Sequence, residues 1–516
     1  MRRYALAGLE ILILSAVILA TRCANYQDVC VGQNIYFTDA DCYARMTRVR
    51  ICAEHPGTII RHHDFENFPQ GTTPHTTAPL DYLIVALSIL LKQWTAQSLD
   101  LAGAVISPLL ALVGGFFLWW WSRRMKFSYR WVVLILYSIS PILVHGTELG
   151  RPDHQSLLML LVTVGICGEW SLQAEQSCNW AIVSGVAWGL ALWVSVYEPL
   201  ILLGLIVLVG LTKDRQTFFG RERRIGWIIF AAIIAIAFLI ERRISSLPIF
   251  QSAALFQNWS RTIGELGHVS PLNRVWFIWA GYLIAIAPIL VWYSIRKRAA
   301  PPTFVLVLLV GTFILTVWQA RWSYFFLSIF AISLPTLLGP IKSRAAVWIA
   351  FALSILPTLQ FWDGRLWPND LEMARRIENR NESAQLRDLA LLIRSTETHP
   401  FLAPWWLSPA ISYWSAQPGV AGSSHEALDG ITDSARFFLA DDLRSARQLL
   451  QNRRIEWVFC YDWDRLGPNS AELLGRNVPE RAVGRILDRS PTQTPAYLVL
   501  SGQNGTAKLF RFADKL

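Results

Sequence analysis

Asp39 and Asp41, two carboxylates one residue apart, lie in the stretch Phe37-Thr38-Asp39-Ala40-Asp41-Cys42-Tyr43. The stretch follows the first apolar run, residues 4–21, which is long enough to span a bilayer. Arg2 and Arg3 precede that run and keep its start in the cytoplasm. The acidic pair therefore opens the first external loop. Packing explains such a pair poorly; a divalent cation explains it well, because hard cations take several carboxylate oxygens. The plainer account is a solvated loop with chance acids. Asp153, Glu265 and Arg321 fall at the outer ends of other apolar runs. Ionisable groups at a membrane boundary are expensive and mark function by default. Three acids, Asp41, Asp153 and Glu265, with one Arg suit a divalent ion holding a diphosphate. The ion bridges phosphate oxygens, and the Arg fork pairs with the remaining charge. Each residue alone has an ordinary reading too: Asp153 as cap of a helix beginning at His154, Glu265 as a loop acid, Arg321 snorkelling to headgroups.

The elements that must position these groups follow from composition. The chain has 516 residues, 53% hydrophobic and 16% charged, against about 25% charged in soluble proteins. It reads as a polytopic membrane protein. No small-residue cleavage site follows the first run, so that run is expected to be retained as a helix. The net charge of +10 does not point to nucleic acid, because the basic residues cluster in short loops expected to face the cytoplasm. Part of the 24 Trp fits interfacial belts. Hydropathy and loop charge give about eleven spans, with the N-terminus inside and the C-terminus outside. The loop at 170–179 is the weak point, carrying Glu175 beside Glu169 and no Lys or Arg. Residues 80–94 are too short to span comfortably and read as a helix lying on the membrane, anchored by Trp94.

The expected division is a membrane domain, 1–364, with external loops 23–100 and 241–274, and an external α/β domain, 365–516. The latter has helices near 370–396 and 439–452 and strands near 454–461 and 496–501. Cys23, Cys30, Cys42 and Cys52, four of the seven Cys, fall in the first external loop. An oxidising exterior permits disulfides there, and no Cys-x-x-Cys supports zinc instead. One or two disulfides are expected. The His62-His63-Asp64 cluster in that loop reads as either a metal site or a loop-holding group.

In their order the motifs resemble the catalytic subunit of oligosaccharyltransferase, in its single-chain bacterial and archaeal form, within the C-type glycosyltransferase superfamily (GT-C). That family has Asp-x-Tyr and a later Arg in the first external loop, matched by Asp41-Cys42-Tyr43 and Arg48. Its second external loop carries acids after a Gly, matched by Gly150-Arg151-Pro152-Asp153-His154-Gln155. Thr262-Ile263-Gly264-Glu265 matches its Thr-Ile-x-Glu motif in a later mobile loop. Arg321 matches an Arg at a span's outer end, and Trp405-Trp406 opens the motif of the external domain. The resemblance covers nearly the whole chain. It implies an all-α polytopic GT-C membrane domain with an external mixed α/β domain, in a bacterial inner membrane, with the external domain periplasmic. It implies an Mg²⁺ or Mn²⁺ ion held by Asp41, Asp153 and Glu265, with Arg321 on the donor diphosphate. Asp41 would also orient or deprotonate the acceptor. Asp39, Tyr43, Arg48, His154 and His268 are neighbours of second rank, and Trp405 and Trp406 belong to the acceptor side.

The departures are specific. After Trp406 the family has Asp-Tyr-Gly, where this chain has Leu407-Ser408-Pro409, and Gln155 replaces a second acid. The family's Asp lies in the motif that recognises the acceptor's Ser or Thr. The leading reading is transfer of a sugar or oligosaccharide from a polyprenyl-linked donor to a protein, peptide or glycolipid, among membrane lipids and with no nucleic acid. One alternative uses a polyprenyl monophosphate sugar to modify a lipid or polysaccharide. The other is a lipid-sugar flippase or transporter, which would place ionisable groups near the midplane and often shows repeats; here the interiors of the spans carry almost no charges and no repeat is found.

Overall fold

The helix Ser323–Leu338 is apolar on every side and buried along its whole length except at Thr336. A helix without a polar stripe belongs in the middle of a bundle, and Tyr324, Phe325, Phe326, Phe330 and Leu334 carry the core of the first compact unit from it. The computed structural model describes residues 2–213, 215–243 and 254–513, so part of the expected loop 241–274 lies outside the described residues. That unit comprises residues 1–29, 101–242 and 265–369. Among the described residues, five helices are long and apolar enough to cross a membrane: Tyr4–Arg22, Ser98–Arg124, His154–Glu175, Arg221–Glu241 and Ala320–Leu338. The bent pair Arg344–Ser354 and Leu356–Leu366 gives a sixth if it is one span. Other expected spans fall on shorter helices, among them Cys178–Val194, Leu283–Arg296 and Thr303–Trp318. The count of about eleven rests on hydropathy and loop charge.

Broken helices need partners for the backbone groups they release, because lipid supplies none. Three breaks here satisfy one another. At Gly281, whose φ of +76° suits glycine, Tyr282 N donates to Ser354 O at 2.9 Å and Leu283 N to Ser354 Oγ at 2.8 Å. Ser140 Oγ, at the second break, donates to Trp279 O, and Trp362 Nε1 to Ile139 O. Thr358 Oγ1 donates to Ile278 O. The acids of the 170–179 region are also paired: Glu169 with Arg223 at 2.6 Å and Glu175 with Arg124 at 2.7 Å.

The second unit joins residues 30–100, 243–264 and 370–516. Its sheet runs Phe401–Leu402, Trp457–Cys460, Ala507–Phe512, Leu498–Asn504, parallel at the first pairing and antiparallel at the other two. Leu402, Val458, Phe510 and Leu498 face a core shared with Phe437, Phe438 and Leu450. Helices Asp370–Leu392 and Leu443–Asn452 lie where periodicity expects them. The early loop folds into this unit: Arg453 donates to Asn67 Oδ1 at 3.0 Å and Phe68 O at 3.1 Å while pairing with Asp433. His63 is buried, bonded to Thr72 and stacked on Phe65. Burial, with the Arg48 charge added, pushes its imidazole down to about 3. His63 holds the loop, and among the described residues no three-ligand group joins it with His62 and Asp64. Helix Ala78–Leu91 buries Leu80, Ile84 and Val85 and exposes Leu83, Ile89 and Leu90; Trp94 beyond it is exposed.

The expected disulfides are not there: among the described residues, none of Cys23, Cys30, Cys42 and Cys52 is disulfide-bonded. Cys42 and Cys52 sit ten residues apart on the helix Ala40–Glu54. That is ~15 Å along the axis, beyond the roughly 7 Å that a disulfide spans between Cα atoms. The free thiols provide a topology test, because Cys30 and Cys178 are both exposed and the expected topology puts them on opposite sides. In intact cells, a membrane-impermeant thiol reagent should label Cys30 and spare Cys178 until lysis, read by peptide mass spectrometry. Labelling of Cys178 in intact cells would overturn that topology.

Candidate active site

In the first unit the loop at residues 146–153 is clamped from both sides. Arg22 is fully buried at the end of the first helix. It donates to Tyr137 O at 2.8 Å, to Thr147 Oγ1 at 3.3 Å and to Ser138 O. Leu149 N donates to Arg22 O, Asn25 Nδ2 to Leu149 O, and Gly150 N to Ala104 O. Gly150 turns the chain at φ +75°, a conformation costly to any residue with a Cβ. Ser107 Oγ then donates to Arg151 O.

The loop so held delivers Arg151 and Asp153. Arg151 Nη2 lies 3.1 Å from Glu265 Oε1, and Nη1 lies 3.2 Å from His145 Nε2 and 3.8 Å from Glu148. A guanidinium can only donate, so His145 Nε2 accepts and Nδ1 carries the proton. His145 Nδ1 then donates to Tyr324 Oη at 2.8 Å, and Tyr324 donates to Glu265 Oε1 at 3.0 Å. Glu265 is thus oriented twice, by Arg151 directly and through His145 and Tyr324.

Asp153 does cap the helix His154–Glu175: its Oδ1 accepts from His154 N at 2.7 Å and lies 2.6 Å from His154 Nδ1. Capping does not remove it from the cluster, because Arg321 feels the charges of both Asp153 and Glu265. Arg321 does not simply snorkel. It forms an ion pair with Glu198, whose side chain is fully buried, and lies 5.6 Å from the Tyr197 ring. Ser195 Oγ donates to the other Glu198 oxygen at 2.9 Å. His268 is exposed. Glu198, Tyr324 and His145 were not among the residues singled out from sequence. The available signal for Glu198 was a lone acid opening the apolar run Tyr197–Lys213.

The remaining expected residues lie in the second unit. Asp39 caps the helix Ala40–Glu54 by accepting from Cys42 N at 2.9 Å. Asp41, in the first turn, is exposed. Tyr43 is buried among Phe37, Tyr413 and Trp414, its hydroxyl accepting from Phe37 N. Arg48 is buried and pairs, with Arg45, to the two oxygens of Asp81. Trp405 donates to Asn469 Oδ1 at 2.9 Å and packs edge-on against Trp406 and Trp259. Leu407 is half-buried, and Ser408 donates to Ala421 O.

No protein-family model matches the chain, and no curated protein matches its sequence. Solved structures do match. Archaeal oligosaccharyltransferase AglB from Archaeoglobus fulgidus, in complex with an inhibitory peptide and a dolichol-phosphate, is similar at TM-score 0.66 and 14% identity, over 90% of this chain and 70% of that one. The Archaeoglobus fulgidus oligosaccharyltransferase in complex with Zn and sulfate is similar at TM-score 0.65 and 15% identity, over 98% and 73%. ArnT from Cupriavidus metallidurans bound to undecaprenyl phosphate is similar at TM-score 0.57 and 14% identity, over 99% of this chain and 98% of that one. These neighbours are GT-C glycosyltransferases, and the likeness establishes a GT-C-like fold, largely helical with a small sheet near the C-terminus.

Proposed function

We propose that this chain is an integral membrane glycosyltransferase that takes a sugar or oligosaccharide from a polyprenyl-linked donor on the external face. The observation that carries the reading is the gathering of Arg151, Asp153, Glu265 and Arg321 in one unit of a GT-C-like fold, with Asp153 and Arg321 at the starts of two apolar helices. The neighbours bound to dolichol-phosphate and undecaprenyl phosphate support a lipid-linked donor. Arg321 and Arg151 would pair with the donor's phosphate oxygens. Asp41, Asp153 and Glu265 are the residues that would hold Mg²⁺ or Mn²⁺. The donor set fits in kind: all are carboxylates, and Glu265 is oriented by two donors on one oxygen. When bound, the ion would neutralise charge developing on the leaving phosphate. Asp41, exposed on its helix, would orient or deprotonate the acceptor. The expected eleven spans, the cytoplasmic N-terminus and the external C-terminal domain belong to this reading.

Two observations favour the second reading, a monophosphate donor and a lipid or polysaccharide acceptor. ArnT is matched over almost its full length, and Leu407 stands where the resembled family has Asp. Leu407 offers no side-chain acceptor to an acceptor hydroxyl, and a buried hydroxyl left unpaired costs about 1–3 kcal/mol. Discrimination of Ser or Thr over Ala should therefore fall by roughly 10- to 100-fold relative to a site with that Asp. The test supplies one lipid-linked donor pool and a peptide series with Thr, Ser and Ala two residues after Asn. Products on peptides, periplasmic proteins and glycolipids are read by mass spectrometry, for wild type and Asp41→Ala. Glycosylated product lost in Asp41→Ala, without a strict Thr requirement, is expected. Transfer to the Thr peptide alone would favour sequon recognition through another residue. No transfer to any class would refute the enzyme reading.

A further inference from the structure

One cluster in the second unit has no part in the reading above. His75, from the segment before helix Ala78–Leu91, meets His425 and Glu426, from the turn before helix Leu428–Phe438. One ligand atom from each lies within 4.8 Å of the others. His75 Nδ1 is 2.7 Å from Glu426 Oε1, and His425 Nδ1 is 3.4 Å from Glu426 Oε2. Glu426 Oε2 is buried without a hydrogen-bond partner, an expensive condition for a carboxylate oxygen.

Both halves of the cluster are anchored independently of it. Arg243 donates to Pro74 O and to Thr76 O, holding the backbone on either side of His75. On the other half, Glu66 Oε1 accepts from Ser423 N at 3.0 Å. Glu66 is itself buried, which brings a second carboxylate within electrostatic reach of His75 and Glu426. His425 and Glu426 side chains are about nine-tenths buried, while that of His75 is one-third exposed. The cluster therefore opens on one side.

We propose that His75, His425 and Glu426 bind a zinc-class divalent ion through two imidazole nitrogens and one carboxylate oxygen. Imidazole donors favour zinc and its neighbours over magnesium and calcium, which prefer oxygen ligands alone. Tetrahedral zinc sets its ligand atoms ~3.3 Å apart, so the 2.7 Å pair of His75 Nδ1 and Glu426 Oε1 opens slightly, and the His425 nitrogen, now beside Oε2, closes on the same ion from within 4.8 Å. Three protein ligands leave a fourth position to water or another small ligand. The ion ties two segments about 350 residues apart in sequence. It is distinct from the ion proposed for Asp41, Asp153 and Glu265, both in donor chemistry and in residues.

The test uses the full-length chain in detergent, stripped with EDTA, titrated with zinc, and desalted for metal analysis. About one tightly held zinc per chain is expected. His75→Ala and His425→Ala should each weaken binding by more than the about 10- to 100-fold that loss of an outer-shell partner costs. The combined Asp41→Asn, Asp153→Asn and Glu265→Gln chain should keep the zinc. Cobalt added to the wild type should give the visible bands of a tetrahedral site, a readout that needs no substitution. His75→Gln is the second variant should His425→Ala misfold, because His75 is the more exposed ligand. Folded wild type without stoichiometric zinc or cobalt bands overturns the proposal. So does zinc retained in every folded His variant, or zinc lost only from the triple carboxylate variant.

Discussion

Arg321→Met should unfold the protein more readily and abolish transfer, and the two losses should separate in a double variant. Arg321 is paired with Glu198, whose carboxylate is fully buried. Removing one partner of a buried ion pair costs about 3–5 kcal/mol, because the other charge is left unpaired. Replacing both partners by neutral groups is often nearly neutral. Glu198→Gln with Arg321→Met should therefore regain most of the thermal stability lost by Arg321→Met. It should not regain transfer, because the proposed donor phosphate would still lack its Arg. A preorganised group aimed at developing negative charge, here on the leaving phosphate, contributes roughly 10²- to 10³-fold in rate. Melting in detergent and initial rates at saturating acceptor give the two readouts. If the double variant recovers both, Arg321 serves only to neutralise Glu198, and its role toward the donor falls.

That pair also shows where sequence reading stops. Arg321 was recognisable at the outer end of an apolar run, but its buried partner was not. Glu198 lies in Tyr197-Glu198-Pro199, between two apolar runs, and is close in sequence to nothing it touches except Ser195. A hydropathy window averages one such acid away. The helices themselves were legible because lipid demands long apolar runs and basic inner loops. Their breaks were not, because Gly281, Ser140 and Ser354 matter through hydrogen bonds between distant segments. Sequence alone joins Asp39 and Asp41 in one motif. Folding divides them into a helix cap and an exposed first-turn acid, a difference set by the helix start rather than by residue type. In the second unit the strands Trp457–Cys460 and Leu498–Asn504 lie where alternation put them, but Ala507–Phe512 was missed. Its signal was present: Asn504-Gly505 is a hairpin turn pair, and Gly505 adopts φ +56°. That missed strand is the one between the other two.

Glu265→Gln should lower transfer by about 10²- to 10³-fold, the magnitude seen when one preorganised electrostatic group is removed, while leaving the fold almost unchanged. The reasoning separates charge from shape. Gln keeps a carbonyl oxygen that can accept from Tyr324 and Arg151, which meet Glu265 Oε1 at 3.0 and 3.1 Å. It removes the negative charge. Glu265 is about one-third exposed, so loss of its pairing with Arg151 should change stability by no more than ~1 kcal/mol. Glu148 also remains beside Arg151. Tyr324→Phe makes the complementary change, keeping the charge and removing one of its two orienting donors. A hydrogen bond to a charged group contributes about 1.5–3 kcal/mol, so transfer should fall by roughly 10- to 100-fold, less than in Glu265→Gln. The His145 ring would then lose the acceptor for its Nδ1 proton, and His145→Gln should add little to Tyr324→Phe because both act through the same oxygen. Initial rates for the four chains, with melting curves as the control, decide the matter. Transfer by folded Glu265→Gln within about threefold of wild type, well inside the effect expected of a group acting on the donor, would return Glu265 to the status of an ordinary loop acid.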